Sequence, residues 1–277
     1  MRVAKMHGLG NDFVLVNGFK EQLPADLNSL AKEICDRHLA IGADGLIILR
    51  PSTSAAAEYI MFNPDGSQSE MCGNGLRCAA LFAKKEGIVS ADEFVFAALR
   101  WPVSPRIVDE EQGMVCVDMG EPCLNPADIP ANFTGARVVN APLLVQARML
   151  NVTLVSMGNP HCVIFVDDDL RHYPLEKVGP QIEHADKFPA KTNVEFVRLI
   201  DDGHIEMRVW ERGCGETMAC GSGACAAVVA SILNGFTKNE VEVKLRYGSL
   251  NIKWAENGRV YMTGPAVWVF EGKYLNA

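Results

Sequence analysis

The sequence predicts an α+β fold of two similar lobes, each a strongly curved or barrel-like sheet wrapped around a central helix. The motif Cys72-Gly73-Asn74-Gly75 recurs as Cys220-Gly221-Ser222-Gly223, 148 positions later, and each copy opens an apolar run of small residues. Gly10-Asn11 recurs as Gly158-Asn159 at the same offset. Strand patterns outnumber helix patterns, and each half contains one strongly apolar helix. Motifs that repeat in one order at one offset indicate two halves related by duplication, with the two helix N-termini facing one another across a cleft.

Length and charge limit the possible classes of protein. A chain of 277 residues is long for one core and suits two domains. The net charge of −8 and the lack of a Lys/Arg-rich block argue against a nucleic-acid partner. No apolar run approaches the length of a membrane span, and no signal-peptide core follows the first residues. We therefore expect an ordinary soluble globular protein of the cytoplasm with no membrane partner.

The first half reads mainly as strands, with two helices. The strands are expected at 3–6, 13–16, 46–49, 58–62, 94–96, 103–108 and 114–119. Helical spacing runs from Leu27 to His38, with Asp26 or Asn28 as the cap. The first Cys-Gly helix should run from Gly73 to Glu86, with Gly87 ending it.

The second half repeats this order after a proline-rich crossing between residues 120 and 135. Strands are expected at 152–157, 163–166, 194–197, 205–210, around 247–249, at 260–263 and at 266–270. One helix should span about 175–185, and the second Cys-Gly helix should end near Gly235. Arg77 is interpreted as a helix-surface residue and Asp65 as a turn residue.

Nine cysteines, an odd number without a Cys-x-x-Cys pair, fit neither a disulfide framework nor a zinc site. We predict no metal. Cys72 and Cys220 differ from the others because each begins a helix, where a thiol is expected to have a lowered pKa and higher reactivity. Six cysteines are predicted to be small buried apolar residues, namely Cys35, Cys78, Cys116, Cys123, Cys162 and Cys225. Cys214, among glycines, has no assigned role.

The ordered motifs together resemble the diaminopimelate epimerases. They are His7-Gly8-Leu9-Gly10-Asn11-Asp12-Phe13, Cys72-Gly73-Asn74-Gly75-Leu76-Arg77-Cys78, Gly158-Asn159-Pro160-His161, Thr192-Asn193 and residues 211–223. The resemblance covers essentially the whole chain. It implies two pseudo-symmetric lobes of mostly antiparallel sheet, with boundaries at 1–119 plus 266–277 and at 120–265.

The resemblance also implies a reaction: the interconversion of LL- and meso-2,6-diaminopimelate, for lysine and peptidoglycan precursors, without a cofactor. Inverting an α-carbon needs one acid/base group on each face, and two cysteines would supply them. Helix N–H groups would hold the α-carboxylate. The catalytic residues implied are Cys72, Cys220, His161 and Glu211. The substrate-binding residues implied are Asn11, Asn63, Gly73, Asn74, Asn159, Asn193, Glu211, Arg212, Gly221 and Ser222.

Three positions depart from the family pattern. Gly45 stands where some members have a glutamine that contacts substrate, and Ala97-Ala98-Leu99-Arg100-Trp101-Pro102 replaces a common Ala-Gly turn. Phe270 stands where relatives often have a tyrosine associated with dimer contact. A homodimer is still expected.

Three other functions remain open on the sequence alone. A proline or hydroxyproline racemase would share both thiols without needing Arg212. A phenazine-biosynthesis-like isomerase would share the fold without the paired cysteines. A non-catalytic redox or binding protein would use the two thiols as a regulatory disulfide.

Overall fold

A computed structural model describes residues 1–69, 72–146 and 148–275, and the chain divides into two compact units. Unit 1 comprises Met1–Asp118 and Thr263–Ala277, and unit 2 comprises Met119–Met262. Unit 1 contains strands β1 (Arg2–Gly8), β2 (Asn11–Asn17), β3 (Gly45–Arg50), β4 (Ala57–Phe62), β5 (Gln68–Ser69), β6 (Phe96–Ala97), β7 (Pro105–Asp109) and β8 (Met114–Asp118). Its helices are α1 (Leu27–Ile34) and α2 (Gly73–Lys85).

Unit 2 follows a similar order of elements. Its strands are β9 (Ala141–Val145), β10 (Arg148–Ser156), β11 (Pro160–Phe165), β12 (Asn193–Asp201), β13 (His204–Glu211), β14 (Gly215–Glu216), β15 (Glu240–Leu245) and β16 (Gly248–Trp254). Its helices are α3 (Leu175–Glu183) and α4 (Gly221–Leu233). Strand β17 (Val260–Pro265) contains the boundary between the units, and β18 (Val267–Lys273) belongs to unit 1.

The two units share one topology. In unit 1 the strand order is β18-β1-β2-β3-β4-β5, with β6 beside β4. In unit 2 the order β9-β10-β11-β12-β13 continues to β15 and β16, with β14 beside β13. Most neighbours are antiparallel, and the parallel pairs β2/β3 and β11/β12 align Phe13 with Gly45 and His161 with Asn193, again 148 positions apart. The predicted fold class is confirmed.

The two units differ in which strand flanks the first strand of the repeat. In unit 1, β1 pairs with the C-terminal strand β18, whereas in unit 2 its counterpart β10 pairs with β9, which precedes it. Strand β9 is not among the strands predicted from the sequence. Its second residue is Pro142, and proline is tolerated in such an edge strand because no further ladder needs its missing N–H.

Helices α2 and α4 are each packed against several strands of their own unit. Helix α2 contacts β1, β2, β3, β7 and β8, and α4 contacts six strands from β10 to β16. Side chains 73–83 of α2 and 223–231 of α4 are buried. A helix covered on most sides has to be apolar nearly all round, which explains the long runs of alanine, valine and leucine. No helix within the described ranges is long and apolar enough to span a membrane.

The helix ends test the predicted boundaries. Helix α2 ends at Lys85 before Gly87, whose φ is 72°, and α4 ends before Gly235, whose φ is 73°, as expected for glycine stops. The prediction that the first helix reaches His38 is wrong. Helix α1 begins at the predicted cap Asp26 and ends at Ile34, because the Asp36 carboxylate accepts the N–H groups of His38 and Leu39 and turns the chain.

Candidate active site

Cys72 is the N-cap residue of α2. Its backbone is extended, and its sulfur accepts a hydrogen bond from the N–H of Gly75 at 3.5 Å. Serine, threonine, aspartate and asparagine usually fill this position, since their side-chain oxygen satisfies one of the free N–H groups of the first turn. Here the sulfur does so, and it is therefore held beside the positive end of the helix.

Asn11 faces Cys72 with its amide oxygen. The thiol of Cys72 donates to Asn11 Oδ1 at 3.7 Å, and Asn74 Nδ2 donates to the same oxygen at 3.1 Å. Asn11 Nδ2 donates to Asp44 Oδ2 at 2.9 Å. A carboxylate can only accept, so Asp44 fixes which end of the amide points to the sulfur.

Asp44 belongs to a charged network that was not predicted from the sequence. Arg37 bridges Asp12 and Asp44, each at 2.7 Å, and Lys5 also contacts Asp12. Burial alone would raise the pKa of Asp12, but hydrogen bonds from Arg37 and Lys5 lower it to about 2. Asp44 stands in a Gly-rich stretch that reads as a turn, which concealed its contact with Asn11.

Arg77 is completely buried, so its assignment to the helix surface is wrong. Its Nη2 donates to Asn74 Oδ1 at 3.0 Å, and its Nε donates to the Pro265 carbonyl at 3.2 Å. A Cβ at Gly8 would lie 2.8 Å from Nη2, so the guanidinium occupies space that glycine leaves free. Arg77 thereby orients the amide of Asn74, whose other end reaches Asn11.

Asn63 hydrogen-bonds within its own turn. Its Nδ2 donates to Ser67 Oγ at 2.9 Å, and Ser67 also donates its backbone N–H to Asp65 at 2.8 Å. Asp65 is a turn residue, as predicted. The contacts of Asn63 are separate from those that join Asn11, Asn74 and Cys72.

Cys220 is the N-cap of α4, at the position in unit 2 that Cys72 has in unit 1. Its sulfur accepts from the Gly223 N–H at 3.4 Å and lies 3.5 Å from Ser222 Oγ. Burial raises the pKa of the Cys220 thiol well above its ordinary value, and Glu211 and Glu195 raise it further. The predicted lowering is therefore wrong for Cys220, because a helix end supplies only partial charge against lost solvation and two carboxylates.

His161 lies fully buried between two acceptors. Its Nδ1 is 2.7 Å from Glu195 Oε1, and its Nε2 is 3.0 Å from Asn159 Oδ1. The resemblance grouped His161 with Glu211, but the hydrogen-bonded carboxylate is that of Glu195. Glu211 instead accepts from the Thr217 hydroxyl. Glu195 alternates with apolar residues in a strand pattern, so the sequence gave no signal for it.

Asn193 ties the start of β12 to two neighbouring segments. Its Nδ2 donates to the Pro160 carbonyl at 2.7 Å, and its Oδ1 accepts from the Arg212 N–H at 2.9 Å. The Arg212 side chain is exposed and donates to the Ala190 carbonyl at 3.2 Å. A backbone carbonyl is a modest partner for a guanidinium, so Arg212 keeps donors that suit a carboxylate.

The other seven cysteines differ in burial. Cys35, Cys78, Cys116, Cys162 and Cys225 are buried, as predicted, whereas Cys123 is only partly buried and Cys214 is exposed. Over the ranges that the structure describes, no group of three or more His, Cys, Asp and Glu side chains is placed to hold a metal ion.

Solved structures with the same fold cover nearly the whole chain. A phenazine biosynthesis protein of the PhzF family from Bacillus anthracis matches with a TM-score of 0.69 and 15% identity, covering 100% of this chain and 99% of that one. A hydroxyproline epimerase from Agrobacterium vitis matches with a TM-score of 0.67 and 14% identity, covering 98% and 91%. The fold class therefore includes proteins described as epimerases and isomerases.

The sequence comparisons specify the family. Residues 3–124 and 153–269 match the family model described as diaminopimelate epimerase. A diaminopimelate epimerase from Pelotomaculum thermopropionicum is 50% identical over 277 residues, covering 99% of each chain. One from Desulforudis audaxviator is 49% identical over 279 residues, covering all of both chains. The chain belongs to the diaminopimelate epimerase family.

Proposed function

We propose that this protein interconverts LL- and meso-2,6-diaminopimelate by proton transfer between the α-carbon and two cysteines. The observation that carries the proposal is the equivalent placement of Cys72 and Cys220, each the N-cap of the buried helix of its unit. Relatives called diaminopimelate epimerase, 50% and 49% identical over nearly their full length, support diaminopimelate as the substrate. The product would serve lysine and peptidoglycan precursor synthesis.

The proposed reaction needs one thiolate and one thiol. The thiolate removes the α-proton from one face, forming an S–H bond as the C–H bond breaks. The thiol then gives its proton to the opposite face and becomes the thiolate, so the enzyme ends with the charge on the other sulfur. In the reverse reaction the two cysteines exchange roles.

The first turns of α2 and α4 supply the groups proposed to hold the α-carboxylate. The backbone N–H groups of Gly73, Asn74, Gly221 and Ser222 belong to the first turns of the two helices, where the positive end of the helix dipole favours an anion. Negative charge that develops on the carboxylate as the proton leaves would be stabilised there. This function requires no cofactor.

The remaining polar residues are proposed to select the substrate. Arg212 would bind the distal carboxylate, since a guanidinium can make paired hydrogen bonds to it. The side chains proposed to bind the rest of the distal end are Asn11, Asn63, Asn159 and Asn193. His161 and Glu211 are proposed to adjust the proton affinity of the thiols.

We also propose that the enzyme acts as a homodimer in the cytoplasm. Phe270 is 47% exposed on β18, the edge strand of the unit 1 sheet, where an apolar ring favours contact with a second copy. Sedimentation of the wild type and Phe270→Asp would test this part: a monomeric wild type would contradict it.

Exchange of the α-proton in D₂O under reductant tests the reaction directly. LL-diaminopimelate, meso-diaminopimelate and proline would be compared for the wild type, Cys72→Ala and Cys220→Ala. Cys116→Ala is the control for loss of a thiol on β8, a strand without candidate site residues. We expect deuterium in diaminopimelate with change of configuration, lost in the first two variants only. Exchange into proline alone would overturn the substrate, and exchange into none would overturn the reaction.

A further inference from the structure

Glu195 is a buried carboxylate for which the proposed reaction has no role. Its side chain is completely inaccessible, and Oε1 lies 2.7 Å from His161 Nδ1. Its second oxygen, Oε2, is buried and has no hydrogen-bond partner in the described part of the chain. Burying a carboxylate with one oxygen unpaired is costly, so a purely structural residue at this position would be a poor choice.

The carboxylate lies against the first turn of α4, next to the sulfur of Cys220. A Cβ built on Gly223 would lie 2.8 Å from Glu195 Oε1 and 3.2 Å from Cys220 Sγ. Since glycine has no Cβ, the carboxylate and the sulfur approach the same small space from two sides. The two distances place Glu195 Oε1 within about 6 Å of the Cys220 sulfur, close enough for its charge to act on the thiol in this buried environment.

His161 keeps this carboxylate in place. The pair lies on neighbouring parallel strands, β11 and β12, where the backbone ladder fixes the separation of the two side chains. A proton must lie between Nδ1 and Oε1 for the 2.7 Å contact to be a hydrogen bond. The remaining ring nitrogen, Nε2, lies 3.0 Å from Asn159 Oδ1, so both ring nitrogens have a polar partner that fixes the orientation of the ring.

Three other polar groups act on Cys220 or lie near Glu195. Glu211, on β13, is half-buried and hydrogen-bonds to Thr217. Cys162, on β11, is buried and senses the charge of Glu195. Ser222 contacts the sulfur from the first turn of α4 itself. Glu195 is distinguished from Glu211 by complete burial and by its hydrogen bond to His161.

We propose that Glu195 is a positioning residue that keeps Cys220 protonated in the free enzyme and holds His161 in one orientation. This inference rests on the proposed function. In the direction in which Cys220 acts as the acid, its S–H bond breaks, a C–H bond forms at the α-carbon, and the negative charge passes from carbon to sulfur. Before substrate is bound, the negative charge of Glu195 disfavours the thiolate form of Cys220. The free enzyme therefore keeps a proton on Cys220 until that proton is transferred to the α-carbon.

Alkylation of single cysteines as a function of pH tests this role without relying on activity. Iodoacetamide would be used on the full-length protein, with peptide mass spectrometry to follow Cys220 and Cys72 separately. Glu195→Gln keeps the shape and removes the charge. We expect the Cys220 midpoint to fall by about 1 pH unit, which raises its alkylation rate at a fixed lower pH about tenfold, with Cys72 less affected.

Two further variants separate charge from structure. Glu195→Asp retains the carboxylate and should keep the Cys220 midpoint near that of the wild type, and Glu242→Gln removes an exposed carboxylate on β15 and should leave it unchanged. An unchanged midpoint in Glu195→Gln would overturn the proposal. So would a wild-type midpoint for Cys220 at or below that of an ordinary cysteine, a test that holds even if the variants fold poorly. Failure of the proposed epimerisation would appear instead in the deuterium experiment.

Discussion

Asn11 Nδ2 lies 2.9 Å from Asp44 Oδ2, and this single hydrogen bond decides that the amide oxygen of Asn11 faces the Cys72 thiol. The two residues are 33 positions apart and meet because β2 and β3 run in parallel. The orientation of Asn11, which is proposed to bind substrate, therefore depends on Asp44, which is not itself proposed to touch the substrate.

Replacing Asp44 with alanine should reduce kcat about tenfold or more, because Asn11 would lose the partner that fixes its orientation. Steady-state kinetics with LL-diaminopimelate, together with the melting temperature, would measure this. The control is Asp92→Ala, which removes an exposed carboxylate paired with Lys84 in the same unit. An equal kcat for Asp44→Ala and the wild type would show that the hydrogen bond from Asp44 is not needed to orient Asn11.

Each of the two cysteines should have a capping role and a catalytic role, and substitutions should separate the two roles. Cys72→Ser and Cys220→Ser keep a side chain that can cap the helix, so their free energy of unfolding should stay near that of the wild type, whereas each alanine variant should lose about 1 kcal/mol. All four variants should lose the epimerase activity. Urea unfolding followed by circular dichroism measures the first effect. Alanine variants as stable as the serine variants would contradict the capping role.

Gly223→Ala should damage both stability and activity. Its Cβ would lie 2.8 Å from Glu195 Oε1 and 3.2 Å from the Cys220 sulfur, so these groups must move. We expect a loss of about 1–3 kcal/mol in unfolding free energy and a clear fall in kcat. Gly272→Ala is the matched control, because nothing lies within 4 Å of the Cβ it would add. Equal unfolding free energies and kcat values for the two variants would show that the first turn of α4 accommodates the added methyl group.

Asp12 should make the protein sensitive to acid. Its pKa is lowered from 3.8 to about 2 in the folded state, because hydrogen bonds from Arg37 and Lys5 outweigh the effect of burial. A lowered pKa contributes stability that is complete above the unfolded value of 3.8 and is lost as pH falls toward 2. The contribution is about 2 kcal/mol.

Urea unfolding between pH 5 and pH 3 would measure this acid sensitivity. The slope of unfolding free energy against pH should be smaller in Asp12→Asn than in the wild type. Asp92→Asn serves as the control, because it changes an exposed carboxylate outside the network of Asp12, Arg37 and Lys5. If the unfolding free energies of the wild type and Asp12→Asn depend on pH in the same way, Asp12 is not a source of acid sensitivity.

The sequence by itself determined the features that depend on local pattern. The repeat at 148 positions, the apolar helices beginning at Gly73 and Gly221, and the glycine stops at Gly87 and Gly235 all follow from short-range rules, and the structure confirms them. Cysteines at the start of both helices were visible for the same reason. The family resemblance required only that these motifs keep their order.

Tertiary structure alone decided which polar groups meet. Glu195 reaches His161, 34 positions away, because parallel strands align them, and a strand pattern gives no sign of a partner on the next strand. The burial of Arg77 depends on Gly8 and Pro265, which are remote in sequence. The raised pKa of Cys220 likewise comes from carboxylates on β12 and β13 and from lost solvent, neither of which a helix N-terminus in the sequence reveals. Local sequence therefore placed both cysteines at helix N-termini, whereas long-range packing raised the pKa of Cys220.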